Sequence, residues 1–169
     1  MKSMQTSVRI EKITLNVGAG KEQSRLDKGF LLLKELTGVT PVKTVTQKRI
    51  PTWGLRPGLP IGAKVTLRGE EAKKMVRRLL HAKDNKLKST NFDNNGNVAF
   101  GVHEYIDIEA AKYNPQIGIM GLEVAVTLEK PGYHIKRRKI KTGVVGKRQR
   151  VSKEEAQGFM KETFAVLVE

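Results

Sequence analysis

The chain has no cysteine in its 169 residues. Disulfides, thiolate-held metals and a cysteine nucleophile are therefore excluded. No apolar run approaches the roughly 18 residues that a membrane-spanning helix needs. The opening Met1-Lys2-Ser3-Met4-Gln5-Thr6 has none of the apolar core of a secretion signal, so a cytosolic location is expected. Neither a basic amphipathic helix nor a lipidation signal stands out, and a membrane surface is not expected as a partner. Catalytic constellations are missing too. His81, His103 and His134 are spread without a metal-ligand spacing, so no metal or other cofactor is expected. Gly18-x-Gly20 starts like a dinucleotide loop, but the third glycine position is Gln23. Glu70-Glu71 reads as charge at a helix start. Asp107 and Glu109 could share a strand face, but no substrate pocket is indicated near them. With no nucleophile–base pair in evidence, the chain is not expected to be an enzyme.

Acids are scarce where cations are dense. Lys and Arg total 32 against 17 Asp and Glu, a net charge of +15. From Leu36 to Gly69 there are six cations and no acid, and from Lys130 to Arg150 nine cations and no acid. Between them, Ser89 to Glu129 holds one cation, Lys112, against six acids. One short charge run is ordinarily a solvated face. Two acid-free tracts of 34 and 21 residues are harder to explain by solubility, which mixed charge serves, and they point to a polyanionic partner. The acidic stretch suggests a second surface, turned away from RNA or towards a basic protein.

The length suits a single domain, here residues 1–169. Val8–Val17 reads as a strand, with Ile13, Leu15 and Val17 alternating with Lys12, Thr14 and Asn16. Ser24–Thr37 has helical spacing at Leu26, Phe30, Leu33 and Leu36, with Gly29 a flaw and Gly38 a C-terminal cap. Pro41–Lys48 is a second strand and Gly62–Arg68 a third. Glu70–Ala82 is a helix with Met75, Val76, Leu79 and Leu80 on its apolar side. Asp93–Asn97 is a turn, Val98–His103 and Leu122–Glu129 are strands, and Asp107–Tyr113 fits a short helix. Lys130–Arg150 has no period and reads as a loop or mobile arm. Ser152–Val168 is a closing helix with a Ser152/Glu155 capping box and Phe159, Met160, Thr163 and Phe164 on one face. The order β-α-β-β-α-β-β-α implies an α+β fold with a mostly antiparallel sheet. Helices would pack on one face, leaving the other polar, basic and exposed.

That outer face would carry Thr14, Asn16, Lys64, Thr66 and Arg68. Small donors and acceptors beside phosphate-neutralising cations suit a nucleic-acid backbone, although an ordinary solvated sheet face has the same composition. The connection Arg49–Pro60 holds three prolines and two glycines in twelve residues and cannot be regular structure. Trp53, the only tryptophan, stands there between Arg49 and Arg56. It could stack on a base or fold back over the core.

Several motifs carry a resemblance. Lys12-Ile13-Thr14-Leu15-Asn16-Val17-Gly18-Ala19-Gly20 resembles the opening strand of the family of the fifth large-subunit ribosomal protein, which binds 5S rRNA. Leu36-Thr37-Gly38-x-x-Pro41 follows in place, then Gly54-Leu55-Arg56-Pro57-Gly58-Leu59-Pro60-Ile61-Gly62-Ala63-Lys64-Val65-Thr66-Leu67-Arg68-Gly69. Phe92-Asp93-x-x-Gly96-Asn97, Gly101-Val102-x-Glu104 and Gly121-Leu122-Glu123 complete a match over nearly the whole chain. Glu129-Lys130-Pro131-Gly132-Tyr133-His134-Ile135 and the arm after it look like the archaeal and eukaryotic branch.

The resemblance implies a structural constituent of the large subunit in the cytoplasmic ribosome, seated in the central protuberance among other rRNA and proteins. Its sheet face would bind 5S rRNA, with Asn16 and Thr66 at the family's contact positions and Thr14, Thr44 and Thr46 beside them. Lys64 and Arg68 extend that set on this chain's own pattern. The 49–60 hairpin, through Arg49, Trp53 and Arg56, would reach peptidyl-site tRNA, and another surface would bridge to a small-subunit protein. The arm's Lys136, Arg137, Arg138, Lys139, Lys141, Lys147, Arg148 and Arg150 would meet phosphates. Val39 departs from the Gln that bacterial members often carry there, a position linked to rRNA contact, and that contact is not carried over. Two alternatives fit parts of this pattern: a general RNA-binding or RNA-chaperone protein outside the ribosome, and a protein-interaction module built on residues 89–129.

Overall fold

The computed structural model describes residues 7–169; the opening Met1–Thr6, read above for signal character, lies outside the described residues. The elements follow the expected order, with additions. They are β1 (Arg9–Gly18), α1 (Gln23–Thr37), β2 (Val42–Val45), β3 (Pro60–Leu67), α2 (Gly69–His81), β4 (Lys86–Leu87), β5 (Asn97–Val102), β6 (Leu122–Glu129), α3 (His134–Arg137), α4 (Lys153–Phe164) and β7 (Leu167–Val168). The fold is α+β. A five-stranded antiparallel sheet runs in the order β2-β3-β1-β6-β5, and β4 and β7 form a separate parallel pair.

The chain folds as two compact units. One comprises Thr14–Leu67 and Gly101–Val124. In it the alternation on β1 and β3 is realised. Leu15, Val17, Ala63, Val65 and Leu67 are buried, while Thr14, Asn16 and Thr66 are half-buried and Lys64 is exposed. Helix α1 buries Leu26, Gly29, Leu32, Leu33 and Leu36. Gly29 is no flaw: a Cβ there would lie 2.8 Å from Val17 Cγ1, so the missing side chain lets helix and strand approach. Gly38 closes α1 in the left-handed conformation, its N–H donating to the Lys34 carbonyl, as the capping rule requires.

The expected helix at Asp107–Tyr113 does not form. The chain makes a single 3-10 turn, Tyr105–Asp107, and then runs on irregularly. Tyr105 and Ile108 are both buried, the Asn114 N–H donates to the Tyr105 hydroxyl at 2.9 Å, and Ala110 takes a positive φ of 64°. These fixed points are incompatible with a continuous helical turn.

The second unit comprises the stretch ending at Ile13, Arg68–Phe100 and Ala125–Glu169. Helix α2 buries Met75, Val76, Leu79 and Leu80, as its periodicity predicts, together with Ala72. Ahead of α4, the Ser152 hydroxyl accepts from the Glu155 N–H at 3.2 Å and the Ser152 N–H donates to the Glu155 carboxylate at 3.0 Å, completing the capping box. Ala156, Met160 and Phe164 are the residues α4 buries. They recur every four positions, and Thr163 of the expected face is exposed. The helix stops at Phe164, because Ala165 turns left-handed at φ 53° and Leu167–Val168 pair with Lys86–Leu87. Two-residue strands of this kind leave no periodic trace.

Candidate nucleic-acid interface

The structure places the predicted side chains in three groups. The first lies on the sheet. Asn16 does not stand alone: its Nδ2 donates to Glu123 Oε2 at 2.9 Å. That contact fixes the amide and leaves its carbonyl oxygen to accept from a ligand. Glu123, at the second position of β6, was not anticipated. A lone acid in a strand leaves no signal until its neighbour across the sheet is known. Across β3, Lys64 is paired with Val42 and Gly62 with Thr44. A Cβ at Gly62 would meet the Val17 carbonyl at 2.8 Å and Thr44 Oγ1 at 2.9 Å, so position 62 has no room for a side chain. Arg68 is exposed but sits one residue beyond β3, as the extended residue that leads into α2.

The second group is the β2–β3 connection, which is more ordered than its prolines and glycines suggest. Ile50 and Leu55 exchange backbone hydrogen bonds at 3.1 and 3.0 Å, and Pro51–Trp53 form a 3-10 turn closed by Gly54. Leu55 is buried and anchors the tip. Trp53 is 66% exposed, so it does not fold over the core. Arg49 and Arg56 are exposed beside it. At the base, the Thr46 N–H donates to the Leu59 carbonyl and the Thr46 carbonyl accepts from Gly58. The Thr46 side chain is buried, and its hydroxyl has no hydrogen-bond partner.

The third group is the segment 130–150. It is a closed loop whose ends are stapled together. The Gln149 side chain donates to the Pro131 carbonyl, Val151 N–H to the Tyr133 hydroxyl at 3.3 Å, and Lys130 Nζ to the Arg150 carbonyl at 3.1 Å. Lys130 is buried and paired with Glu155 at 2.7 Å. Burial works to raise the Glu155 carboxyl, but the Lys130 ammonium and the Ser152 backbone outweigh it and hold it below the usual carboxylate range. Arg137 reaches Glu129 and, at 3.3 Å, Glu11. Arg138 Nε donates to the Lys141 carbonyl and Arg150 Nε to the Val145 carbonyl. Lys136, Lys139, Lys141, Lys147 and Arg148 are exposed.

Comparison with known proteins finds relatives over nearly the whole chain. A family model described as ribosomal protein L5 matches residues 3–56, and a model of the C-terminal part of the same ribosomal family matches residues 60–163. The chain belongs to the ribosomal L5 family. The family is one of structural proteins and not of enzymes. Similar L5 proteins, each named large ribosomal subunit protein uL5, come from archaea. That of Nanoarchaeum equitans is 50% identical over 95% of this chain and 95% of its own length. That of Sulfurisphaera tokodaii is 46% identical over 95% and 92%, and that of Methanosphaera stadtmanae 42% over 95% of each. The boundary between the two family matches falls inside the β2–β3 connection, just past Arg56. Among the described residues no helix is long and apolar enough to cross a membrane.

Proposed function

We propose that this chain is an RNA-binding structural constituent of the large ribosomal subunit, working in the cytoplasmic ribosome as a scaffold for 5S rRNA. The observation that carries the reading is the sheet surface of an L5-family chain on which Asn16, held by Glu123, stands with half-buried Thr14 and Thr66 and exposed Lys64. Small polar groups there can follow a nucleic-acid backbone closely, and Lys64 supplies charge. Thr44 borders this surface, Arg68 adds a cation past its end, and Thr46 lies beneath the connection that follows. In the same reading the connection presents Arg49, Trp53 and Arg56 to peptidyl-site tRNA, the 130–150 loop meets neighbouring rRNA phosphates, and a further surface bridges to a small-subunit protein.

The test is binding of the purified chain to 5S rRNA at near-physiological salt with excess tRNA as competitor. Binding that survives the competitor supports the scaffold. Asn16→Ala and Thr66→Ala should then each cost about 1–3 kcal/mol, the worth of a specific contact. Binding that any RNA erases would favour a general RNA-binding protein, and an unchanged affinity in a folded double variant would remove the sheet as the site.

A further inference from the structure

The acid-free segment 130–150 opens on two adjacent buried charges of opposite sign, Glu129 just before it and Lys130 as its first residue. Glu129 is 4% exposed and Lys130 5%, and each has its own partners. Glu129 Oε1 accepts from Arg9 Nε at 3.0 Å, and its Oε2 accepts from Arg137. Lys130 Nζ donates to Glu155 at 2.7 Å and to the Arg150 carbonyl at 3.1 Å. One residue therefore ties the front of the loop to β1 through Arg9. The next ties its far end to the start of α4. A buried charge that loses its partner is strongly destabilising, so neither pair opens readily.

The loop's cations divide accordingly. Lys130 and Arg137 are spent on carboxylates, and Arg138 and Arg150 bond backbone carbonyls within the loop. Lys136, Lys139, Lys141, Lys147 and Arg148 are exposed and form no ion pair among the described residues. We propose that Glu129 and Lys130 are a two-point latch that holds residues 131–150 folded in the free chain. The loop then meets an RNA phosphate backbone as a preformed surface, with these five side chains as its contacts. Preorganisation of this kind lowers the ordering cost paid at binding. The latch stands on the contacts alone; the choice of partner rests on the RNA reading above.

Hydrogen exchange on the full chain, without RNA, tests the latch. The amides of Arg138, Gly143, Gln149 and Arg150, all hydrogen-bonded, should exchange at least about tenfold more slowly than an unstructured peptide. Glu129→Gln should abolish that protection while α1 keeps its own. Free-peptide exchange in the unaltered loop, or loop protection untouched by the substitution, overturns the latch. If Glu129→Gln also unprotects α1, Arg137→Gln repeats the test, since it removes the loop's own partner and leaves Arg9 on Glu129. The partner is tested separately with 5S rRNA. Replacing Lys136, Lys139, Lys141, Lys147 and Arg148 by Gln should reduce the salt slope of binding by about 0.7–0.9 for each phosphate they neutralise. An unchanged slope with a protected loop overturns the RNA assignment of these five residues and leaves 5S binding by the sheet standing.

Discussion

Trp53 shows what one exposed side chain can and cannot do. Two-thirds of it faces solvent, so Trp53→Ala should leave the unfolding midpoint within the ±0.5 kcal/mol or so typical of surface changes. If the connection meets tRNA, the same variant should keep its 5S affinity and alter the footprint on peptidyl-site tRNA; a footprint indifferent to the change would end that role. Gly96 is the opposite case. It sits at φ 76°, and a Cβ there would lie 2.6 Å from the Val151 side chain. Gly96→Ala should cost about 1–3 kcal/mol of stability from backbone strain, with a clash added, as a shifted denaturant midpoint would show. The glycine at the Asp93–Asn97 turn was readable from its neighbours. Its second reason, Val151 packed against it, lies 55 positions away and was not.

Among the elements, α4 makes the most definite prediction. Its capping box is complete, so Ser152→Ala should remove about 1 kcal/mol, measurable by chemical denaturation. The same helix start carries a pH dependence. Because the Glu155 carboxyl is held below its ordinary value in the folded chain, its contribution is fully present above the unfolded value of about 4.3. It is lost as pH falls through the lowered folded value. Acid unfolding of Lys130→Met should lose the share of that component that Lys130 supplies, leaving the share from Ser152, whereas an unchanged acid profile would mean the pair contributes nothing. Elements with a sustained period were legible, and so were those bounded by caps: β1, α1, β3, α2 and β6 fall within a residue or two of their expected limits. The helix expected at Asp107–Tyr113 failed because buried Tyr105 and Ile108 decide that stretch. The pair β4 and β7 was invisible because two residues cannot display alternation.

For the molecule as a whole, charge was the most legible property, and its division of labour the least. The sequence count of nine cations in 130–150 does not distinguish those bonded within the chain from the rest. Excision of the loop should flatten the salt dependence of 5S binding, by an amount that follows Lys136, Lys139, Lys141, Lys147 and Arg148 and not all nine. A slope equal to that of the intact chain would mean that the loop faces something other than RNA. Of the candidate site, residue types and strand phase were readable, which is why Lys64 and Thr66 fall where expected. The hold of Glu123 on Asn16 and the burial of Thr46 required the third dimension.

The interleaving of the two units bears on how the chain comes to be folded. Every residue of the unit that holds Asn16 and Trp53 has been synthesised once Val124 is made, whereas the other unit awaits Glu169, whose N–H donates to the Leu87 carbonyl and whose own carbonyl accepts from Ser89. A growing chain thus makes Lys86–Leu87 and Ser89 well before the residues that bond them, Leu167–Glu169, exist. That interval is one in which an unpaired strand edge is open to misassociation.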